Sequence, residues 1–165
     1  MPSTYEKIQT YTLGSNSTSI DFTSIGSGYT DLRLVLVATA VSNNSNLYFS
    51  FNNNNSSLYS VTSLTGNGTS AASSRETSQV EFRTTLVGGI SSTIPSMTTF
   101  DIFSYAGSTF KTSLIEFSAD YNGSGTTARY VGLFRSTSAI TSVKISSISG
   151  LQTGTTATLY GILKA

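Results

Sequence analysis

The stretch DLRLVLVATA, Asp31 to Ala40, decides the fold. In an extended backbone Leu32, Leu34, Leu36 and Ala38 point one way and Arg33, Val35, Val37 and Thr39 the other. It is the longest apolar run of the chain and the only one apolar on both alternating faces. Short, rich in branched residues and flanked by Gly28 and Asn43-Asn44, it predicts a strand covered on both faces or nearly so.

Working outward, the neighbouring segments alternate with a half-polar pattern. Thr4 to Leu13 predicts a first strand or an ordered arm, and Thr18 to Phe22 a second strand ending on the loop Gly26 to Tyr29. Asn46 to Phe51 alternates Leu47, Phe49 and Phe51 against Tyr48, and four successive asparagines, Asn52 to Asn55, force a turn. Ser57 to Leu64 predicts a short strand. Thr65 to Ser74 is the longest expected loop, with a tight-turn signal at Asn67-Gly68. Gln79 to Val87 predicts a half-exposed strand carrying Glu81 and Arg83 outward, and Gly88 to Pro95 a loop. Met97 to Tyr105 and Phe110 to Ala119 form a hairpin across Gly107-Ser108. Asp120 to Gly125 turns into Thr126 to Arg135. Ala139 to Ile148 carries a phase break near Ser142 that suggests a bulge. Thr156 to Leu163 is the last strand. Ten or eleven short strands at 8–12-residue spacing, without helical periodicity, predict an all-β chain. The expected fold is one jelly-roll-like antiparallel β-sandwich domain over residues 1–165, with 1–12 a possible arm onto neighbours.

The chain has 165 residues, enough to bury about 70% of its unfolded surface in one core without a staple. Only 10% of residues are charged, against about 25% ordinarily, and the net charge is +1. A hydroxyl- and amide-rich surface of this kind suits packing against copies of itself, or contact with sugars. With Lys and Arg scattered, the footprint of a nucleic-acid binder is missing, so no nucleic-acid partner is expected. No apolar run approaches the 20 or so residues of a membrane-spanning helix, and MPSTYEKIQTYTLG lacks the pattern of a secretory signal.

Catalytic residue types are scarce. With no His and no Cys, imidazole bases, thiolate nucleophiles and ordinary zinc sites are ruled out. Two carboxylates suffice for a glycosidase, and Asp101 and Glu116 lie on the two arms of one expected hairpin. The plainer reading makes them solvent-face residues near Lys111, Arg83 or Arg129. Asp120, Asn122 and Ser124 in DYNGSG mimic alternating calcium ligands, but turn chemistry explains the same letters. No catalytic residue, metal ligand or cofactor is therefore assigned. Tyr48, Tyr59, Tyr121 and Tyr130, near Asn-rich loops, are candidate sugar platforms, with Tyr48 and Tyr121 foremost; tyrosines on strands more often stand at the core edge. Arg135 and Arg75 suit structural roles in which a planar fork bonds loop carbonyls.

Three sets of residues then combine. Tyr29-Thr30-Asp31-Leu32 precedes the central run; Gly66-Asn67-Gly68 leads to Ser74-Arg75; and Gly132, Leu133, Arg135, Ser136, Thr137, Ala139 and Ile140 are followed by Tyr160-Gly161-Ile162. In this order they resemble a family of small all-β virion proteins of tailed bacteriophages, with Phe134 where Trp is frequent. The resemblance implies a non-enzymatic structural component of the virion. It would be a capsid decoration (cement) protein on the capsid exterior, self-associating as a homotrimer and bridging major capsid protein subunits, or else a tail or fibre part. Tyr5, Arg75 and Arg135 are its interface candidates. The alternative is a glycan- or receptor-binding module of a tail fibre, using Tyr48 and Tyr121.

Overall fold

The computed structural model describes residues 4–84 and 89–163. Within them the chain forms twelve strands and no helix: β1 Tyr5–Thr12, β2 Ser17–Phe22, β3 Asp31–Ala38, β4 Leu47–Phe51, β5 Tyr59–Gly66, β6 Ala71–Gln79, β7 Phe82–Arg83, β8 Ser96–Ile102, β9 Lys111–Asp120, β10 Gly125–Phe134, β11 Val143–Leu151 and β12 Thr156–Ile162. Eight of them pair antiparallel in the order β1-β12-β3-β8-β9-β10-β5-β6. The other four pair as β2-β11-β4-β7. The two sheets make the β-sandwich that the alternation predicts, with eight strands against four and the chain passing repeatedly between layers.

Alternation explains the core. From the large sheet Leu32, Leu34, Leu36, Phe100, Ile102, Ile115, Phe117, Tyr130 and Phe134 point inward; Ile20, Phe22, Leu47, Phe49, Phe51, Val143 and Ile145 meet them from the small sheet. At the centre Phe51 lies 5.4 Å from Phe134, 5.7 Å from Phe82 and 5.8 Å from Phe100, ring centre to ring centre. Each such aromatic pair adds about 0.5–1.5 kcal/mol beyond area burial, and here they join both layers.

The central run differs from its expectation. Leu32 to Ala38 is buried on its even face only, while Arg33 and Val35 are half-buried and Val37 is exposed. The small sheet covers one face of the large sheet, and among the described residues no element covers the other. β1 changes face partway: a bulge between Lys7 and Gln9 inserts Ile8, so Tyr5 stands on the outer face and Tyr11 packs inward on Phe22 at 5.1 Å despite equal parity.

Expected loops and strands also shift. The long loop at Thr65 to Ser74 is instead a hairpin: β5 runs to Gly66, β6 begins at Ala71, and four residues turn between them. Asn67 Oδ1 accepts from the backbone N–H groups of Thr69 and Ser70, and Gly68 takes φ +87°. Within the expected strand at Gln79 to Val87, Gln79 ends β6 opposite Tyr59 and Phe82–Arg83 form the short β7, while Thr85, Leu86 and Val87 lie outside the described residues. The irregularity of β11 falls between Ser146 and Leu151 rather than at Ser142, and it leaves Ile148 on the surface.

Candidate functional site

Most of the residues that carry the family resemblance do structural work. Tyr29 lies over Gly161, where an added Cβ would stand 2.3 Å from the ring. Asp31 Oδ1 accepts from the Ser104 N–H at 2.7 Å, pinning the loop after β8. Gly132 lies under Phe82, Phe134 stacks on Tyr59 at 4.7 Å, and Ile140 is fully buried. Arg135 donates through Nη2 to the Ser57 carbonyl at 2.6 Å, which is the loop-bonding role expected of it. Arg75 is exposed and donates from Nε to the Thr62 hydroxyl across the β5–β6 ribbon, so it bonds a side chain rather than a loop carbonyl. Asparagines at other turns act likewise: Asn43 Oδ1 accepts from the Ser92 N–H, and Asn16 Oδ1 from the Thr153 N–H.

The carboxylate pair is committed elsewhere. Asp101 receives a bidentate fork from Arg33, Nε to Oδ1 and Nη2 to Oδ2, both at 2.6 Å. Glu116 Oε1 accepts from both Nε and Nη2 of Arg129. Thr99 faces Glu116 in register, so Asp101 sits diagonally from Glu116 on one face, about 7–8 Å away. Both carboxylates are spent on guanidinium groups. The plainer reading named Arg129 correctly, whereas the partner of Asp101 is Arg33.

Lys111 is not a surface neighbour of these acids. It is fully buried, and its ammonium donates to the carbonyls of Gly107 at 2.6 Å, Thr109 at 2.7 Å and Ser136 at 3.3 Å. Burial pushes its pKa down from the ordinary lysine value. The signal was present in β9: Ile115, Phe117 and Ala119 share the parity of Lys111, so an inward Phe117 requires an inward lysine.

The four tyrosines separate. Tyr59 and Tyr130 are fully buried and offer no sugar platform; Tyr59 Oη accepts from the Phe51 N–H, and Tyr130 donates to the Thr84 carbonyl. Tyr121 is half-buried at the β9–β10 turn, where its hydroxyl donates to the Gly89 carbonyl at 2.7 Å. That turn closes with Asp120 Oδ1 accepting from the Asn122 N–H, and Asn122 and Gly123 take φ +55° and +122°. Tyr48 alone lies on an open sheet face, the outer side of the small sheet, between Ser146 and Arg83.

Two surfaces remain as candidates for contact with other molecules. On the outer face of the large sheet four apolar side chains stand in solvent: Leu64 at 61% exposure, Val131 at 52%, Met97 at 48% and Val37 at 39%. The Arg33–Asp101 and Arg129–Glu116 pairs lie among them, and Tyr5, 5.8 Å under the Arg33 guanidinium, closes one side. At the far edge β6 is exposed along nearly its whole length. The second surface is the outer face of the small sheet, whose alternate positions are Ser19, Asp21, Lys144, Ser146, Tyr48 and Ser50. No family model matches this chain, and no curated protein matches it.

Proposed function

We propose that the chain is a structural, non-enzymatic subunit of a tailed-bacteriophage virion: a capsid decoration (cement) protein that packs as a homotrimer and bridges neighbouring capsid subunits. The observation that carries this reading is the uncovered outer face of the eight-stranded sheet. Eight strands about 4.8 Å apart span about 34 Å, and four rows of outward side chains span about 20 Å, giving about 700 Å². A standard interface buries about 800 Å² per partner, so this one face nearly supplies it. The Arg33–Asp101 and Arg129–Glu116 charges that lie among Leu64, Val131, Met97 and Val37 are already paired with each other, so their desolvation opposes burial of these side chains less than that of lone ions would. A cyclic trimer needs two different patches on each subunit, and the exposed edge strand β6 offers the second.

Sedimentation velocity across a concentration series, paired with co-sedimentation on capsids lacking their decoration protein, tests the proposal. Trimers that bind capsids support it. A chain that stays monomeric at about 100 μM and ignores capsids removes it, because an interface of standard size ordinarily holds far below that concentration.

A further inference from the structure

A concavity of about 260 Å³ lies on the outer face of the small sheet. Its floor is set by register: Lys144 of β11 stands between Asp21 of β2 and Ser50 of β4, and Ser146 between Ser19 and Tyr48. Continuing the β4–β7 pairing by one residue sets Glu81 opposite Ser50. Its wall is the turn after β4, which brings Asn53 and Asn55 to the rim. That turn is held firmly. Asn52 and Asn53 both take left-handed backbone, at φ +54° and +50°, and the Asn52 amide is fixed by the Ala139 carbonyl and the N–H groups of Thr141 and Ser142.

The lining has unspent hydrogen-bonding capacity. Among the described residues, no hydrogen bond within the chain engages the side chains of Ser50, Asn53, Asn55, Glu81, Lys144 or Ser146. Glu81 and Lys144 form no ion pair, although the lysine charge acts on the carboxyl. The larger grooves differ. They follow the β5–β6 and β9–β10 hairpins, and the one holding Glu116 and Arg129 has those charges already engaged.

The geometry points to a binding site for one ring of a neutral saccharide. The lining holds one ammonium, one carboxylate, two amides and several hydroxyls, with Asp21, which accepts from the Ser19 hydroxyl, just outside it on the far side of Lys144, so the site both donates and accepts. An anion would meet Glu81, and a cation Lys144. A ligand with vicinal hydroxyls, each both donor and acceptor, satisfies the whole set, and Tyr48, opposite Ser146 in register, is the aromatic residue next to that lining. The volume lies below the usual range of about 300–1,000 Å³ for drug-sized ligands, which limits the site to a single ring with affinity near millimolar. This inference is independent of the assembly proposal: a chain that stays monomeric, ignores capsids and binds sugar here would keep one and remove the other.

The test is an amide NMR titration of the full chain with glucose, galactose, mannose and N-acetylglucosamine, each to about 50 mM, a range that captures millimolar binding. At least one sugar is expected to shift the amides of Ser50, Lys144 and Ser146. Glu81→Gln and Lys144→Ala are each expected to weaken that binding at least about tenfold. Ser146→Arg, an outward-face change that fills the concavity, is expected to abolish it. No response to any sugar overturns the proposal, as do shifts centred on Tyr121, binding untouched by folded Glu81→Gln and Ser146→Arg variants, or stronger displacement of the same amides by inorganic phosphate.

Discussion

Replacing Gly132 by alanine tests the joint between the two sheets. Gly132 sits in β10 between Val61 and Ser113, facing inward, and a Cβ there would lie 2.6 Å from Cε1 and 2.9 Å from Cζ of Phe82. Phe82 cannot yield cheaply: it is fully buried, with Tyr59 at 5.0 Å, Phe51 at 5.7 Å and Phe100 at 5.9 Å. Overpacking of this kind costs about 1–3 kcal/mol. Removing glycine's extra backbone freedom from a strand returns about 0.5–1 kcal/mol, leaving a net loss of about 1–2 kcal/mol. For 165 residues at about 2.1 cal/mol/K each, that lowers Tm by about 3–6 °C. Gly66→Ala is the control, because its nearest side-chain atom is 3.8 Å away, and it is expected to be neutral or slightly stabilising. Calorimetry on Gly132→Ala, Phe82→Leu and the double variant completes the cycle. The smaller ring-less side chain makes room for the new methyl, so the double variant is expected to be at least about 1 kcal/mol more stable than additivity predicts. A Gly132→Ala protein that melts above the parent, or a strictly additive cycle, would refute the packing described here.

Lys111→Met is expected to destabilise the fold by about 3 kcal/mol in urea titrations, because it leaves the carbonyls of Gly107, Thr109 and Ser136 without their donor. Burial pushes the Tyr59 hydroxyl up to about 12 from an ordinary 10.0, so the folded state holds that proton more tightly than the unfolded state. The stability it contributes is therefore complete below pH 10 and is lost as pH rises from 10 to 12, by an amount on the order of 2 kcal/mol. Tyr59→Phe is expected to flatten that alkaline decline, while costing about 1–2 kcal/mol at pH 7 because the Phe51 N–H loses its acceptor; urea midpoints between pH 7 and 12 measure both effects. Val131→Lys, placed on the open face of the large sheet, is expected to weaken self-association at least about tenfold in sedimentation runs while leaving Tm within about 2 °C.

How far the sequence reached is clearest in individual residues. Arg135 was legible as a structural, carbonyl-bonding arginine because a lone arginine after an inward aromatic, next to a Ser-rich loop, has a carbonyl within reach, and it bonds that of Ser57 through one nitrogen. Asn67-Gly68 was legible as a turn because the bonding is local. Lys111 was not, because a charged side chain is assigned to solvent by default, and its three carbonyls come from two loops that only folding brings together. The polar concavity escaped for a related reason. Ser19, Ser50 and Lys144 come from three strands and Glu81 from the residue before β7, and nothing within any one of these segments marks the others.

Alternation of apolar and polar residues, a property of each segment alone, fixed the all-β class, the shared face of Leu32, Leu34 and Leu36, and most turns. Which strands became neighbours, and that eight of them gathered against four, depended on long-range pairing that period-two patterning does not encode. Tertiary structure therefore decided that Val35 and Val37 face outward and that Asp101 belongs to Arg33, because the face a residue occupies becomes inside or outside only when another layer covers it.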